Sequence, residues 1–228
     1  MSEFIVKGGK SLNGEVKVSG SKNAALPILC AAMLTEDKVV LKNVPDIADI
    51  RSMIRILEAF GAKIQFEGDT LEINPKEVKK TQVPEHLINQ MRASILIIGG
   101  LLPRVKEIKI SFPGGCVLGK RSVDAHTHAL KEFGGEIIDD KKGLHVKAEN
   151  LQGKKIILPE MSVTATENAI MLAVVSKGDS EIRLAANEPH VQDLCNFLVE
   201  MGAKIQGIGT NNLKITGVDS LHGCEYSI

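Results

Sequence analysis

One pattern occurs three times along the chain, and a chain built of three similar units has few ways to bury its apolar surface. Each copy contains an amphipathic stretch that ends at glycine: Ile47 to Gly61, Val123 to Gly134 and Val191 to Gly202. The closing glycines at 61, 134 and 202 are 73 and 68 residues apart. Ile47, Ile50, Ile54 and Leu57 follow the 3.6-residue period, as do Val191, Leu194, Leu198 and Met201. Each stretch therefore reads as a helix with one buried stripe, stopped by a left-handed glycine. A strand, a turn and a second strand follow, most clearly over 66–73 and 206–215.

Upstream of each amphipathic helix lies a helix of another kind: 23–34, 89–102 and 164–176. The first of these carries no charge from Ala24 to Leu34, and a helix apolar on every side is buried on every side. A strand links it to the amphipathic helix, at 39–41, 108–111 and 181–184. One unit thus reads inner helix, strand, outer helix, strand, strand. The expected assembly is α/β: three inner helices parallel at the centre, sheets around them, and outer helices covering the sheets. Residues 3–7 and 14–19 read as two short strands outside the repeat, and 224–228 as the start of another. Neither end is expected to close anything.

The 228 residues suffice for a core without disulfides. With no Trp and few aromatics, that core is expected to be aliphatic. The 28 basic residues balance 28 acidic ones, which argues against nucleic acid as a partner. Cys30, Cys116, Cys195 and Cys224 form no Cys-x-x-Cys pair and no metal-ligand spacing with the six His. No metal, cofactor or disulfide framework is expected, and a reducing, cytoplasmic setting is. There is no basic-then-apolar leader at Met1. The apolar runs 24–34 and 93–102 fall short of the roughly 20 residues a bilayer requires, so no membrane partner is expected.

Parallel inner helices would bring three N-termini, each with unpaired N–H groups and partial positive charge, to one face. The residues there are 19–23, 89–94 and 161–166. Taken singly, Ser21, Asn23, Ser162 and Thr164 are ordinary helix caps, and Lys22 and Arg92 ordinary surface cations. Both cations nevertheless stand where the helix dipole disfavours them, which favours a phosphate-bearing ligand. Between a strand and the second outer helix runs a loop with the sequence Phe-Pro-Gly-Gly-Cys-Val-Leu-Gly-Lys-Arg at 112–121. Cys116 has Lys120 and Arg121 nearby, and adjacent cations lower a thiol pKa. Cys30 and Cys195 fall on buried helix faces and read as bystanders. Asp49, Asp124 and Asp193 near the outer-helix starts suit the dipole. His126 and His128 lack metal-pair spacing, and His126, nearer the loop, is a candidate for a substrate contact.

The stretch Ser-Gly-Ser-Lys-Asn-Ala-Ala-Leu-Pro at 19–27, Met91-Arg92-Ala93-Ser94, Pro113-Gly114-Gly115-Cys116 and Arg121-Ser122-Val123-Asp124 resemble the UDP-N-acetylglucosamine enolpyruvyl transferase family, and the likeness runs over the whole chain. The resemblance implies an inside-out α/β barrel domain of three βαβαββ-type repeats around buried parallel helices. It implies transfer of the enolpyruvyl group of phosphoenolpyruvate to the 3′-hydroxyl of UDP-N-acetylglucosamine, with release of phosphate, as the first committed step of peptidoglycan synthesis. By the same resemblance Lys22, Asn23 and Arg121 hold phosphoenolpyruvate. Arg92, Arg121, Ser122, Val123, Asp124, Ala125, Ser162, Val163 and Thr164 line the UDP-sugar site. Cys116 is the catalytic proton donor, the adduct site and the target of the epoxide fosfomycin.

The family pattern often has Pro where this chain has Ser122, and Gly where it has Thr164. The family enzyme is also nearly twice as long. Residues 1–21 are then strands that in the family belong to the other domain, and 22–228 the domain carrying the Cys loop. The second domain, with an aspartate for the sugar hydroxyl and further arginines, is missing from these residues. Two other readings stand beside this one: the related enzyme acting on shikimate 3-phosphate, which uses no loop cysteine, and a non-catalytic module that keeps the anion face. A repeat fold that processes RNA ends is disfavoured by the charge balance.

Overall fold

The computed structural model describes residues 3–114, 122–140 and 143–228. The first unit runs α1 (Lys22–Ala31), β1 (Val39–Lys42), α2 (Ala48–Phe60), β2 (Lys63–Glu67) and β3 (Thr70–Asn74). The second opens with a single turn, α3 (Glu85–Ile88), and a 3-10 segment, Arg92–Leu96, that continues into α4 (Ile97–Val105). It goes on through β4 (Glu107–Ser111), α5 (Asp124–Glu132), β5 (Glu136–Asp140) and β6 (Gly143–Lys147). After β7 (Lys155–Ile157) come α6 (Val163–Ala173), β8 (Asp179–Arg183), α7 (Pro189–Glu200), β9 (Lys204–Gln206), β10 (Asn212–Thr216) and β11 (Glu225–Ser227). The repeat read from the sequence is therefore present in all three copies. Gly61, Gly134 and Gly202 close the three outer helices, and all have positive φ.

α1, α4 and α6 form the centre. Every residue from Ala24 to Leu34 is buried, as the absence of charge predicts. Arg104, in the last turn of α4, donates through Nη1 to the carbonyls of Met33 and Thr35 at 3.0 and 2.9 Å. The C-terminal ends of α1 and α4 thus lie together. Near the other end, Asn168 of α6 bonds the backbone of Ile95 and Gly99. The three helices accordingly run the same way. They approach closely because α4 carries Gly99 and Gly100 at the contacts: a Cβ on Gly100 would stand 2.1 Å from the Cys30 carbonyl oxygen, and one on Gly99 2.5 Å from Asn168 Oδ1. The third inner helix departs from the apolar expectation, since Thr166, Glu167 and Asn168 are all buried.

Each unit folds its strands into its own sheet, in the orders β11-β1-β3-β2, β4-β6-β5 and β7-β8-β10-β9. Among the described residues no ladder joins one sheet to the next. Two sheets take a parallel edge strand from elsewhere in the chain: β7 pairs with β8 and β11 with β1. A parallel bridge from Gln82 to Lys109 is the equivalent in the second sheet. The β11 edge corrects the expectation that neither chain end closes anything. β11 returns from the third unit to the first, with the Val40 amide donating to the Cys224 carbonyl at 2.9 Å and Ile228 to Lys42 at 3.1 Å. Tyr226 meets Phe197 edge-to-face and donates its hydroxyl to Asp193 Oδ1 at 2.5 Å. Asp193 is thereby a partner of β11 rather than a first-turn acid.

Two further expectations change. The outer helices do not cover the sheets. Leu213 and Ile215 of β10 are buried while Asn212, Lys214 and Thr216 are exposed, the alternation of a sheet with one wet face. α2 and α7 pack on α1, and α5 on α6, so the helices share the dry side. Residues 3–19 form no strand and are exposed, including Phe4, Ile5, Val6, Leu12, Val16 and Val18. A strand requires a neighbour's N–H and C=O groups, and none pairs with this segment among the described residues.

Replacing Gly100 by Ala is expected to destabilise the fold by about 1–3 kcal/mol or more, because a backbone carbonyl blocks the methyl group. Gly8→Ala, with nothing within 4 Å of the new Cβ, is expected to be neutral. Equal urea midpoints for the two variants would contradict the close helix approach.

Candidate active site

The common direction of the inner helices brings their N-termini to one end of the core. The first turns of α1, of the Arg92–Leu96 segment and of α6 contain no acid, whereas α2 and α5 begin with Asp49 and Asp124. The inner N–H groups and dipoles are thus left without a side-chain counter-charge in their own first turns, a setting that suits an anion.

Lys22 and Asn23 occupy the first two positions of α1 and are exposed, with Ser21 capping the Ala24 amide. Lys22 Nζ sits 2.8 Å from Asp49 Oδ2. Both side chains are about half exposed, and such a pair contributes about 0–1 kcal/mol. A ligand phosphate can therefore compete for Lys22 at little cost.

The second cluster is more tightly built. Arg92 donates from Nη2 to the Ser122 carbonyl at 2.7 Å. Ser122 Oγ accepts from the amide of Asp124, the first residue of α5, at 2.8 Å. Val123 is half-buried, and Ala125 is 5% exposed, its methyl in the core. His126, one residue on, is 2% exposed. Its Nε2 lies 3.1 Å from Thr164 Oγ1, and its Nδ1 2.9 Å from Asn168 Nδ2. Burial, then Arg92, pushes the His126 pKa down to about 3. His126 is thus buried, and among the described residues its Nε2 reaches outward to the half-buried Thr164. Ser162 and Val163 stand half-buried at the start of α6, and the Ser162 side chain makes no capping bond. His128 Nε2 faces the Ile157 carbonyl at 3.2 Å.

Cys116 and Arg121 lie outside the described residues. At the described flanks, Gly114 packs against the Asn89 backbone, where a Cβ would meet the carbonyl oxygen at 2.1 Å, and Ser122 receives Arg92. Of the other thiols, Cys30 and Cys195 are buried, as expected. Burial, then Glu167, pushes the Cys30 thiol far up and that of Cys195 up to about 12. Cys224 is pushed up to about 11, by burial and then Glu200. Among the described residues no three His, Cys, Asp or Glu side chains group to hold a metal ion. No helix there is long and apolar enough to cross a membrane.

Sequence reasoning missed Asn168, Thr166 and Glu167. The signal was a Thr-Glu-Asn run inside an otherwise apolar helix. Thr166 Oγ1 accepts from the Ala186 amide at 3.0 Å, tying α6 to the segment between β8 and α7. Glu167 is 1% exposed, and its Oε1 has no partner among the described residues. Burial, then the Glu188 carboxylate, holds its pKa well above the usual 4.5.

A family model described as EPSP synthase (3-phosphoshikimate 1-carboxyvinyltransferase) matches residues 6–228. A UDP-N-acetylglucosamine 1-carboxyvinyltransferase of Acinetobacter guillouiae is 43% identical over the whole chain, and the chain covers 55% of that relative. Its counterpart in Borreliella burgdorferi is 44% identical, with 53% covered. The chain therefore spans about half the length of the curated relatives it matches. Among solved structures, the enolpyruvyl transferase NikO from Streptomyces tendae superposes with a TM-score of 0.81 over 97% of this chain and 52% of its own, at 22% identity. An EPSP synthase from Acinetobacter baumannii gives 0.76 over 97% of this chain and 51% of its own, at 17% identity. At such identities these two speak for the fold.

The unfolded chain releases the Glu167 proton above about pH 4.5, whereas the folded chain keeps it. Each pH unit above that value therefore favours unfolding by about 1.4 kcal/mol until the folded-state pKa is reached. His126 has the opposite sign: below about pH 6.5 the unfolded chain gains a proton that the folded one refuses down to about pH 3. Glu167→Gln leaves His126 in place and removes only the first cost. The variant is expected to match the parent at pH 4 and to exceed it in urea midpoint at pH 7.5. A stability difference that is the same at both pH values would contradict the raised Glu167 pKa.

Proposed function

The chain belongs to the EPSP synthase family of enolpyruvyl transferases, and on that premise we propose that it forms the Cys-loop domain of a UDP-N-acetylglucosamine 1-carboxyvinyltransferase. The reaction joins the enolpyruvyl group of phosphoenolpyruvate to the 3′-hydroxyl of UDP-N-acetylglucosamine and releases phosphate, in the cytoplasm, as the first committed step of peptidoglycan synthesis. The observation that carries the reading is the end of the core where three acid-free helix N-termini meet Lys22, Arg92 and the hydroxyls of Ser162 and Thr164. Both substrates are phosphorylated, so both suit such an end. The choice of the UDP-sugar over shikimate 3-phosphate is supported by the names of the curated relatives and by the cysteine in the Pro-Gly-Gly-Cys loop.

The chemistry assigns roles. Adding a hydroxyl across the phosphoenolpyruvate double bond needs a proton at its terminal carbon, and eliminating phosphate returns that proton. Cys116 is the proton donor, activated by Lys120 and Arg121. Lys22, Asn23 and Arg121 hold phosphoenolpyruvate. Arg92, the 122–125 segment and 162–164 hold the UDP-sugar, with Ala125 offering its backbone. The base for the sugar hydroxyl comes from a second domain. These 228 residues alone are then expected to bind substrate but release phosphate only at background rate.

Calorimetry is expected to show UDP-N-acetylglucosamine binding in preference to shikimate 3-phosphate, with Arg92→Ala weakening it at least about tenfold through loss of a charge-assisted contact. Preferential binding of shikimate 3-phosphate would overturn the substrate assignment. With UDP-N-acetylglucosamine present, fosfomycin is expected to label one thiol per chain, Cys116, because the other three thiols are buried or raised in pKa. An adduct on any other cysteine, or none, would remove Cys116 from its role.

A further inference from the structure

Asn168 makes three hydrogen bonds that leave its amide a single orientation. Its Oδ1 accepts from the Gly99 amide at 3.0 Å, and its Nδ2 donates to the Ile95 carbonyl at 3.1 Å. An amide turned the other way would set oxygen against oxygen and N–H against N–H. The second Nδ2 hydrogen points at His126 Nδ1, 2.9 Å away. His126 Nδ1 must therefore be the bare, accepting nitrogen, and Nε2 carries the ring proton. Protonating both nitrogens would place two N–H groups head to head in a site where Asn168 is fully buried and His126 is 2% exposed.

The Nε2 proton goes to Thr164 Oγ1 at 3.1 Å. Thr164, the second residue of α6, is half-buried at the N-terminal end of the core. Its oxygen is occupied as an acceptor from the His126 side, and among the described residues nothing accepts its hydroxyl hydrogen. Resting on the UDP-sugar reading above, we infer that Asn168 is a positioning residue for this site: by fixing His126 as the neutral Nε2–H tautomer, it makes Thr164 accept from the ring and turns the hydroxyl hydrogen outward, to donate to a substrate oxygen. The relay uses Thr164, a position where the resembled pattern often has glycine. It also explains why a polar side chain stands in the middle of a buried helix. Asn168 sets the polarity of a hydroxyl one helical turn away without touching the ligand.

The test combines imidazole-nitrogen NMR on the labelled 228-residue chain with calorimetry of UDP-N-acetylglucosamine. The expected spectrum shows His126, assigned by its loss in His126→Gln, as the Nε2–H tautomer, unchanged from pH 5.5 to 8. Thr164→Val is expected to weaken binding about tenfold, the worth of one hydrogen bond to a charged or polar oxygen, and Thr164→Ser to restore it. Asn168→Asp replaces the donor to Nδ1 by an acceptor. It is expected to move the ring proton to Nδ1 and to weaken binding as much as Thr164→Val, with no further loss in the double variant. An Nδ1–H tautomer in the unaltered chain overturns the inference, and so does a Thr164→Val chain that binds as tightly as the parent. A parent chain with the expected tautomer that binds no UDP-N-acetylglucosamine refutes the proposed function, and with it the ligand end of the relay.

Discussion

Helix α4 comes closest to α1 at Gly100 and to α6 at Gly99, where it carries no side chain. At Gly100 the Cys30 backbone leaves no room for a methyl group, and at Gly99 the Asn168 side chain fills the space a Cβ would take. Parallel helices pack this tightly only where one of them offers bare backbone. The spacing sets everything nearer the surface. It lets Asn168 bond the Gly99 amide directly, it aligns the N-termini at one end, and it gives the three sheets a common core to pack on.

That alignment has an electrostatic result. Three N-termini with no first-turn acid would repel one another's partial charges, so the end is stabilised by an anion. The fold tolerates the arrangement without one by placing acids on the neighbouring outer helices, as Asp49 does for Lys22. An exposed ion pair of this kind holds Lys22 loosely. Arg92 is held differently, on a backbone carbonyl of the segment that follows the Cys116 loop, which couples the second inner helix to that loop's far flank.

The polar groups inside α6 show two outcomes of burial. Asn168 is fully satisfied and therefore adds rigidity with direction. Glu167, one residue before it, has an oxygen with no partner among the described residues and is raised in pKa by burial and then by the Glu188 carboxylate, and so lowers stability at neutral pH. A protein retains such a cost where the position serves something other than stability. Both residues lie one turn into α6 from its N-terminus.

The repeat, its helix types and its closing glycines were legible in the sequence, because periodicity and left-handed caps are properties of neighbours along the chain. So were the buried Cys30 and Cys195, and the cations at the inner N-termini. The outer helices were misassigned to the far side of the sheets, since helix periodicity says that one stripe is buried but not what buries it. The strands read into 3–19 failed to form for a related reason: strand propensity does not supply a partner. β11 was half-seen as a strand start, but its partner β1 lies at the other end of the chain. Asn168 was the largest omission at the site. By itself the sequence determined which segments are helices, which are buried, and that basic groups begin two of the inner ones. Only the tertiary structure decided that Asn168 would bond Ile95, 73 residues away, and thereby set the proton on His126, because the direction of a hydrogen bond between units depends on how closely their backbones pack.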